Sequence, residues 1–140
     1  MNINDKISSD KAPEPVGAYP HARKVGNLLF LSGVGPRQRG SKEIPGVTLD
    51  SNGNIIEYDI EKQCHSVFQN VKLILEASGA RWEDLVDVTV FLTNMKSDFK
   101  TFNKIYAEYF KENQPCRTTV EVNALPTPIA IELKCIAVIK

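Results

Sequence analysis

The sequence predicts an α+β fold in which two helices cover one face of a mixed β-sheet. Two segments have helical periodicity, a strand-like segment separates them, and further strand-like segments lie before and after. Each predicted helix has a single apolar stripe, which is stable only when another layer of the fold covers it. The order of the segments therefore favours one two-layer domain that spans residues 1–140.

The clearest helix is predicted over residues 59–79. Asp59 is suited to cap its first turn, and Gly79 is suited to the left-handed conformation that ends many helices. Apolar side chains recur between them at steps of three and four residues, which gives one buried stripe. These residues are Ile60, Cys64, Val67, Phe68, Val71, Ile74 and Leu75.

A strand and a second helix are predicted to follow. The strand covers residues 85–93, because apolar residues alternate there as on one buried face. That face consists of Val86, Val88, Val90 and Leu92. Residues 94–97 are then predicted to turn the chain, with Ser97 or Asp98 as the cap of the helix. Its apolar stripe consists of Phe99, Phe102, Ile105, Tyr106, Tyr109 and Phe110.

The remaining strands are predicted at residues 28–31, 118–122 and 129–139. The last two lie on either side of a turn that contains Pro126 and Pro128. The second face of the sheet also carries valine and isoleucine, and no third helix is predicted to cover it. We therefore expect neighbouring subunits to cover this face in a homo-oligomer.

Composition and charge exclude several classes of function. Of the 140 residues, 42% are hydrophobic and 24% are charged, and the basic and acidic residues balance at 17 each. The zero net charge argues against a nucleic-acid or anionic-membrane partner. Cys64, Cys116 and Cys135 are widely spaced and odd in number, which is typical of reduced cytoplasmic thiols. We expect a cytoplasmic protein, with residues 1–15 as an extended lead-in, because these residues lack the apolar core of a signal peptide.

Three familiar motifs fail on spacing. A calcium loop that begins at Asp50 needs glycine at position 55, where Ile55 stands. A dinucleotide fingerprint that begins at Gly33 needs a third glycine at position 38, where Gln38 stands. The neighbours Cys64-His65 are too close to be a helical pair of metal ligands. We therefore predict no metal site and no dinucleotide-binding site at these motifs.

An insertion at residues 37–54 is polar and highly charged, and it contains the tight-turn signal Asn52-Gly53. Loops of this length within a compact domain are often functional. A surface decoration with no function is the alternative that the residues leave open.

Two charged residues lie within the last two predicted strands, where a core strand needs none. Arg117 opens the first, and Glu132 lies inside the second between two apolar residues. Burial of a carboxylate is unfavourable unless it is paired or protonated. An arginine beside such a carboxylate can hold a small anionic substrate next to an acid/base group. A structural ion pair, or an edge glutamate that faces water, is the alternative reading.

Short motifs along the chain occur in a specific order. They are Gly17-Ala18-Tyr19, Leu31-Ser32-Gly33, Ala77-Ser78-Gly79-Ala80, Asp98-Phe99, Phe102-Asn103-Lys104-Ile105-Tyr106, Arg117 with Val120, Leu125-Pro126, Ile131-Glu132 and Ile136-Ala137. In this order and spacing they resemble the reactive-intermediate deaminase (RidA/YjgF) family. The resemblance covers nearly the whole chain from Gly17 onward.

The resemblance implies a chorismate-mutase-like α+β fold and a homotrimer with active sites in clefts between subunits. It also implies cofactor-free hydrolysis of enamines and imines to a carbonyl compound and ammonia. Arg117 matches the family arginine that binds the substrate carboxylate, and Glu132 matches the glutamate that orients the attacking water. Polar residues that match the lining of the cleft are Tyr19, Ser32 and Asn103.

The sequence departs from the typical pattern two residues after the arginine, where most members have cysteine and this chain has Thr119. We expect its hydroxyl to form a hydrogen bond in place of the thiol. Three features look more like the 2-aminomuconate deaminase branch: the Gly17-Ala18-Tyr19-Pro20-His21 motif, the Arg117-Thr118-Thr119-Val120 run and the insertion. That branch acts on a dicarboxylate. A second carboxylate would require a second cation, and the candidates are Arg37, Arg39 and His21.

Two other kinds of function remain open on the sequence. One is a regulatory protein that binds a small carboxylate or RNA without deaminase activity. The other is a family member that has lost activity and acts as an interaction scaffold.

Overall fold

Six strands and two helices build the main layer pair within residues 5–140, which are the residues that the computed structural model describes. The first four residues of the predicted lead-in lie outside them. The strands of the main sheet are β1 Lys6–Ile7, β2 Ala22–Val25, β3 Leu28–Leu31, β6 Leu85–Leu92, β7 Cys116–Glu121 and β8 Ile131–Val138, and a separate two-stranded sheet consists of β4 Val47–Leu49 and β5 Ile55–Tyr58. The helices are α1 Ile60–Ala77 and α2 Met95–Tyr109.

The sheet has the order β1-β2-β3-β8-β6-β7. The pair β6–β7 is parallel and the other pairs are antiparallel, which confirms the predicted mixed sheet. Both helices pack on one face of this sheet and share a single apolar core with it. Neither helix of the described part of the chain is long and apolar enough to cross a membrane.

Helix α1 begins and ends as predicted. The Asp59 carboxylate accepts hydrogen bonds from the backbone N–H groups of Glu61 and Lys62 and so caps the first turn. Gly79 follows the helix with φ of +72°, a conformation that favours glycine over residues with a side chain.

Helix α2 begins earlier than predicted, because Asn94 is its cap. The Asn94 side chain accepts a hydrogen bond from the backbone N–H of Ser97, so the chain from Met95 onward is already helical. The prediction that Ser97 or Asp98 caps the helix was wrong. Asp98 is buried instead, and its carboxylate accepts hydrogen bonds from Tyr58 Oη at 2.6 Å and from Ser97 Oγ at 3.0 Å.

Strand β6 alternates as predicted only from Val88 onward. An irregularity in the pairing with β8 lies between Leu85 and Asp87. It turns Leu85 into the core and leaves Val86 41% exposed, so the prediction that Val86 shares the buried face was wrong. A bulge of this kind shifts the faces because side chains alternate with a period of two.

The insertion contains a small β-hairpin that the sequence analysis did not predict as strands. Strands β4 and β5 pair across a turn in which the Asp50 carboxylate accepts hydrogen bonds from the backbone N–H groups of Asn52 and Asn54. These bonds lower the pKa of Asp50, with the Asn54 bond as the largest cause. The turn expected at Asn52-Gly53 is confirmed, and Gly53 adopts φ of +81°.

The second face of the sheet has no helix within residues 5–140. Along β8 every second side chain is half-buried where its neighbours are fully buried. Residues that point to this outer face are Phe30, Thr89, Phe91, Glu132, Lys134 and Ile136. The expectation that subunits of a homotrimer cover it remains a prediction.

Candidate functional site

Arg117 and Glu132 lie on opposite faces of the sheet within one chain. Arg117 of β7 pairs with Val88 of β6, and Val88 pairs with Cys135 of β8. Val88 and Cys135 are buried in the helix-covered core, so Arg117 lies on that face too. Glu132 precedes Cys135 by three residues along β8 and therefore points to the outer face. A single chain does not bring the two predicted catalytic groups together.

The Arg117 guanidinium is held against helix α2. Its Nη1 donates a hydrogen bond to Asn103 Oδ1 at 2.8 Å. Its central carbon lies 5.9, 5.4 and 4.7 Å from the ring centroids of Phe99, Phe102 and Tyr106. Cation–π attraction acts at these distances. Because Arg117 forms no ion pair with any residue from 5 to 140, its other N–H donors are free to bind a carboxylate.

Thr119 lies two residues after Arg117 and on the same face. Its hydroxyl oxygen is buried and has no hydrogen-bond partner among the described residues, and the same is true of Tyr106 Oη. Burial raises the pKa of Tyr106 to about 12 and the nearby Arg117 opposes this shift, so the phenol keeps its proton. Native proteins rarely leave buried hydroxyls without a partner, which marks these two oxygens as candidates for a hydrogen bond to water or to a ligand. We call the group on this face the arginine half-site: Arg117, Asn103 and Thr119.

On the outer face, the carboxylate of Glu132 packs against the backbone of Gly33. A Cβ atom on Gly33 would lie 2.8 Å from Glu132 Oε2, so a side chain there would displace the carboxylate. Within residues 5–140, no hydrogen bond or ion pair is formed by this carboxylate. Desolvation raises the pKa of Glu132 above its usual value of 4.5. A carboxyl group with a raised pKa is suited to transfer protons near neutral pH.

Tyr19 and Ser32 lie next to Gly33 around a narrow cavity. Ser32 Oγ donates to the carbonyl of Pro20 at 2.7 Å, which leaves its lone pairs for a ligand. The Tyr19 hydroxyl accepts a hydrogen bond from the backbone N–H of Val16 at 3.2 Å, so its own proton remains free to donate. We call the group on this face the glutamate half-site: Tyr19, Ser32, Gly33 and Glu132. Gly33 was not predicted as a site residue, although the glycines at 33 and 35 were a signal of close backbone approach.

A segment at residues 9–16 leads into the glutamate half-site, and Arg39 holds it in place. Arg39 donates from Nε to the carbonyl of Ala12 and from Nη2 to the carbonyl of Ser9, both at 2.8 Å. Its Nη1 lies 3.2 Å from the Glu14 carboxylate. All three nitrogens of the guanidinium are therefore committed to this segment.

The three cations expected to bind a second carboxylate are not equivalent. His21 is buried, its Nδ1 accepts from the backbone N–H of Ser9, and its Nε2 lies 2.7 Å from the carbonyl of Pro13. His21 and Arg39 thus have structural partners, which corrects the expectation for these two. Among the described residues, Arg37 donates a hydrogen bond only from Nη2, to the carbonyl of Glu14 at 2.7 Å. It lines the same cavity as Tyr19 and Ser32.

A larger cavity of about 630 Å³ lies beside the β4–β5 hairpin. Its charged lining residues are Glu43, Glu57, Asp59 and Lys62. Neither half-site borders this cavity, so its size does not make it the candidate for the chemistry. The insertion reaches the candidate site through Arg37 and Arg39 instead.

The cysteines and histidines form no further site within the described residues. All three cysteines are free thiols, and Cys64 and Cys135 are buried as predicted. Burial raises the pKa of both thiols to about 12, so neither is a thiolate at neutral pH. No cluster of three or more ligand side chains from residues 5–140 is arranged to hold a metal ion.

Comparisons with known proteins identify the family of this chain and agree with its fold. The family described as endoribonuclease L-PSP matches residues 9–139. Reactive Intermediate Deaminase A, chloroplastic, of Arabidopsis thaliana is 40% identical over 131 residues, which cover 94% of this chain and 64% of that protein. The 2-iminobutanoate/2-iminopropanoate deaminase of Dermatophagoides farinae is 35% identical over 135 residues, which cover 96% and 95% of the two chains.

Solved structures show the same fold. The crystal structure of the YjgF gene product from E. coli matches with a TM-score of 0.81 and 33% identity, over 96% of this chain and 98% of that one. This chain therefore belongs to the RidA/YjgF family and has its chorismate-mutase-like α+β fold.

Proposed function

We propose that this protein hydrolyses imine and enamine carboxylates to a carbonyl compound and ammonia. In each active site, the arginine half-site of one subunit meets the glutamate half-site of its neighbour within a homotrimer. Two relatives named as deaminases of reactive intermediates and of 2-imino acids support this activity.

One observation carries the proposal: each half-site lacks the partner that the other would provide. Arg117 is oriented by Asn103 and three aromatic rings, yet no carboxylate among the described residues pairs with it. Glu132 is a half-buried acid with a raised pKa, and no cation among those residues pairs with it. A carboxylate substrate that binds to Arg117 would place its C=N group in a cleft where Glu132 provides the acid/base function.

The reaction follows from these groups in balanced steps. Arg117 binds the substrate carboxylate through two parallel hydrogen bonds, which fixes the position of the protonated imine. A water molecule attacks the imine carbon while Glu132 accepts its proton. Glu132 then returns this proton to the nitrogen of the resulting carbinolamine. The C–N bond breaks, ammonia leaves, and the hydroxyl gives its proton back to the Glu132 carboxylate as the carbonyl group forms; the ammonia takes up that proton and departs as ammonium, which restores Glu132. An enamine first takes up a proton at carbon to become the imine.

The required catalysis is modest, because a C=N bond is already labile in water. A positioned acid/base group contributes roughly 10²–10⁴-fold in rate, which corresponds to about 3–5 kcal/mol of barrier lowering. The Thr119 hydroxyl serves as a hydrogen-bond partner of the substrate and does not act as a nucleophile.

We further propose a preference for dicarboxylate substrates of the 2-aminomuconate type. The insertion, which brings a second arginine to the glutamate half-site, and the presence of Thr119 support this preference. Equal or faster turnover of small monocarboxylate imines would contradict it.

The test of the activity measures ammonia release from 2-iminobutanoate generated in situ by an amino-acid oxidase. We expect Arg117→Ala and Glu132→Gln each to lower kcat/KM by at least about 100-fold. The matched controls Arg81→Ala and Glu76→Gln alter an arginine and a glutamate outside both half-sites and should retain activity. Unchanged rates in the Arg117 and Glu132 variants would refute the proposed roles.

A further inference from the structure

We propose that Arg37 binds the second carboxylate of a dicarboxylate substrate and thereby sets the substrate preference of the site. The inference rests on the proposed deaminase function, and it assigns the preference to one residue of the insertion.

Arg37 lines the narrow cavity of the glutamate half-site. This cavity has a volume of about 30 Å³, and Tyr19, Ser32 and Gly33 also line it. A space of this size holds about one water molecule, so it suits the end of a ligand and not a whole substrate. Glu132 does not line the cavity itself, but its carboxylate packs against the backbone of Gly33, which does.

The cavity favours an anionic group because of its charged lining. Arg37 is the one lysine or arginine among the described residues that line it, and His21 is the other basic residue there. Both ring nitrogens of His21 already have partners in the segment at residues 9–16. An anion that enters this cavity would therefore meet the guanidinium of Arg37.

Arg37 retains hydrogen-bonding capacity for a ligand. A guanidinium has five N–H donors on three nitrogens. Within residues 5–140, the bond to the Glu14 carbonyl uses Nη2, and Arg37 forms no ion pair. Arg39, two residues later, differs because its three nitrogens bind two carbonyls and a carboxylate of the same segment.

Hydrogen bonds from helix α1 fix the backbone around Arg37, so the side chain extends from a fixed position. Asn70 of α1 is buried, and its Nδ2 donates to the carbonyl of Gly35 at 2.8 Å and to that of Arg37 at 2.7 Å. A ligand-binding side chain on a fixed backbone loses less conformational entropy when it binds.

A substrate with two carboxylates needs a second cation because Glu132 lies close to this end of the cleft. Arg117 of the neighbouring subunit binds the carboxylate next to the C=N group, and Arg37 binds the distal carboxylate. Without Arg37 the distal carboxylate would meet the negative charge of Glu132 with no compensation. A monocarboxylate has no group at this position and does not use Arg37.

The experiment compares Arg37→Met with the matched variant Arg39→Met on two imines made in situ by an amino-acid oxidase. The imines are 2-iminoglutarate, a dicarboxylate, and 2-iminobutanoate, a monocarboxylate. We expect Arg37→Met to lower kcat/KM for 2-iminoglutarate by about 10- to 100-fold and to change that for 2-iminobutanoate by less than about 3-fold. Arg39→Met should lower both by a similar factor, because it acts through the segment that leads into Tyr19.

A binding measurement gives a second readout that does not depend on turnover. Calorimetry of the full chain should show that wild type binds glutarate more tightly than butyrate and that Arg37→Met removes this difference. Equal loss of both activities in Arg37→Met, or an unchanged preference, would overturn the role of Arg37. Lys134 is the competing cation, because it lies on the same strand as Glu132 and donates to the carbonyl of Leu31. A preference for the dicarboxylate that disappears in Lys134→Met but persists in Arg37→Met would therefore also overturn the role of Arg37.

These outcomes separate the inference from the activity on which it depends. If Arg117→Ala and Glu132→Gln retain full turnover of 2-iminobutanoate, the proposed function fails. If those variants are inactive and Arg37→Met affects both imines alike, the function stands and the inference about Arg37 fails.

Discussion

Arg117 and Glu132 belong to strands that are separated by one strand of the same sheet, and their side chains point to opposite faces. Chain connectivity and register exclude a common site in one chain, because no side-chain rotation moves a residue through a sheet. The two groups can meet only where the outer face of one subunit contacts the Arg117 side of another. The proposed function therefore depends on assembly.

Mixing of two inactive variants tests this dependence. The two variants are unfolded together in equal amounts and refolded. A site is intact when a Glu132→Gln chain supplies its Arg117 and an Arg117→Ala chain supplies its Glu132. With random assembly in a cyclic trimer, about one quarter of the sites regain both groups. We expect ammonia release to recover to about one quarter of the wild-type rate in this mixture.

The controls for this experiment are each variant refolded alone, which should remain inactive. Sedimentation should show trimers in every sample. No recovery in mixed trimers would contradict sites shared between subunits.

Gly33→Ala should reduce activity with little loss of stability. The added Cβ would lie 2.8 Å from Glu132 Oε2, and the flexible end of the glutamate can move away. Displacement of a catalytic group by about 1 Å lowers rates by about 100-fold. Gly33 does not adopt a positive φ, so alanine adds no backbone strain there, and urea unfolding of the variant separates a loss of activity from a loss of stability. Full activity in Gly33→Ala, measured by ammonia release, would show that the contact does not position Glu132.

The raised pKa of Glu132 predicts an acid limb in the pH profile. Burial stabilises the protonated form, so the carboxylate that accepts the proton from water is lost below a pKa that lies above 4.5. We expect kcat/KM to fall with decreasing pH through this pKa, and Glu132→Gln to lack this limb in its residual activity. A limb that persists unchanged in Glu132→Gln would assign it to another group.

The same shift affects stability with a definite sign. A carboxyl group whose pKa is raised by folding contributes stability that is fully present below its unfolded pKa and is lost as pH rises through the folded pKa. Glu132→Gln removes this contribution. The free energy of unfolding of wild type should therefore fall relative to that of the variant as pH rises above 4.5. Urea unfolding over a series of pH values measures this difference.

Tyr58→Phe should destabilise the fold by about 1–3 kcal/mol, because it leaves a buried carboxylate oxygen of Asp98 without its donor. The Tyr58 hydroxyl lies 2.6 Å from Asp98 Oδ2, and burial raises the pKa of Tyr58 to about 12, so it remains a donor. Tyr109→Phe removes a more exposed hydroxyl, which lies 2.7 Å from His65, and is the matched control. Equal losses in urea unfolding would contradict the role of burial at Asp98.

Thr119→Val should separate binding from stability. The Thr119 hydroxyl oxygen is buried without a partner in the described chain, so its removal should leave the free energy of unfolding unchanged or raise it by up to about 1 kcal/mol. If the hydroxyl binds substrate, KM should rise by about 5- to 10-fold. Thr118→Val, on the opposite face, is the control. An unchanged KM in Thr119→Val would remove this residue from the site.

Local signals in the sequence were sufficient for both helices and for the strands β3, β6, β7 and β8, whereas the short strands β1, β2, β4 and β5 were not predicted. The periodicity of α1 and its caps at Asp59 and Gly79 depend on neighbours within a few residues, so they were correctly predicted. The start of α2 was missed because Asn94, Ser97 and Asp98 are all acceptable caps. The hydrogen bond from Tyr58, a distant residue, accounts for the inward position of Asp98.

The insertion shows the same limit. Its turn at Asn52-Gly53 is a local feature and was predicted, whereas the pairing of β4 with β5 was hidden by polar composition. The contacts of Arg39 with residues about 30 positions earlier are not encoded in any local pattern. Because the sequence does not show these contacts, Arg39 was expected to be a ligand-binding cation, whereas in the structure it holds the segment at residues 9–16.

By itself the sequence determined the two helices, the alternation of β6 from Val88 onward and the presence of an arginine and a glutamate in neighbouring strand-like runs. Only the tertiary structure decided which face each of these two residues occupies. The physical reason is that side chains alternate along a strand, so the face of a residue depends on the register between strands, which non-local packing sets.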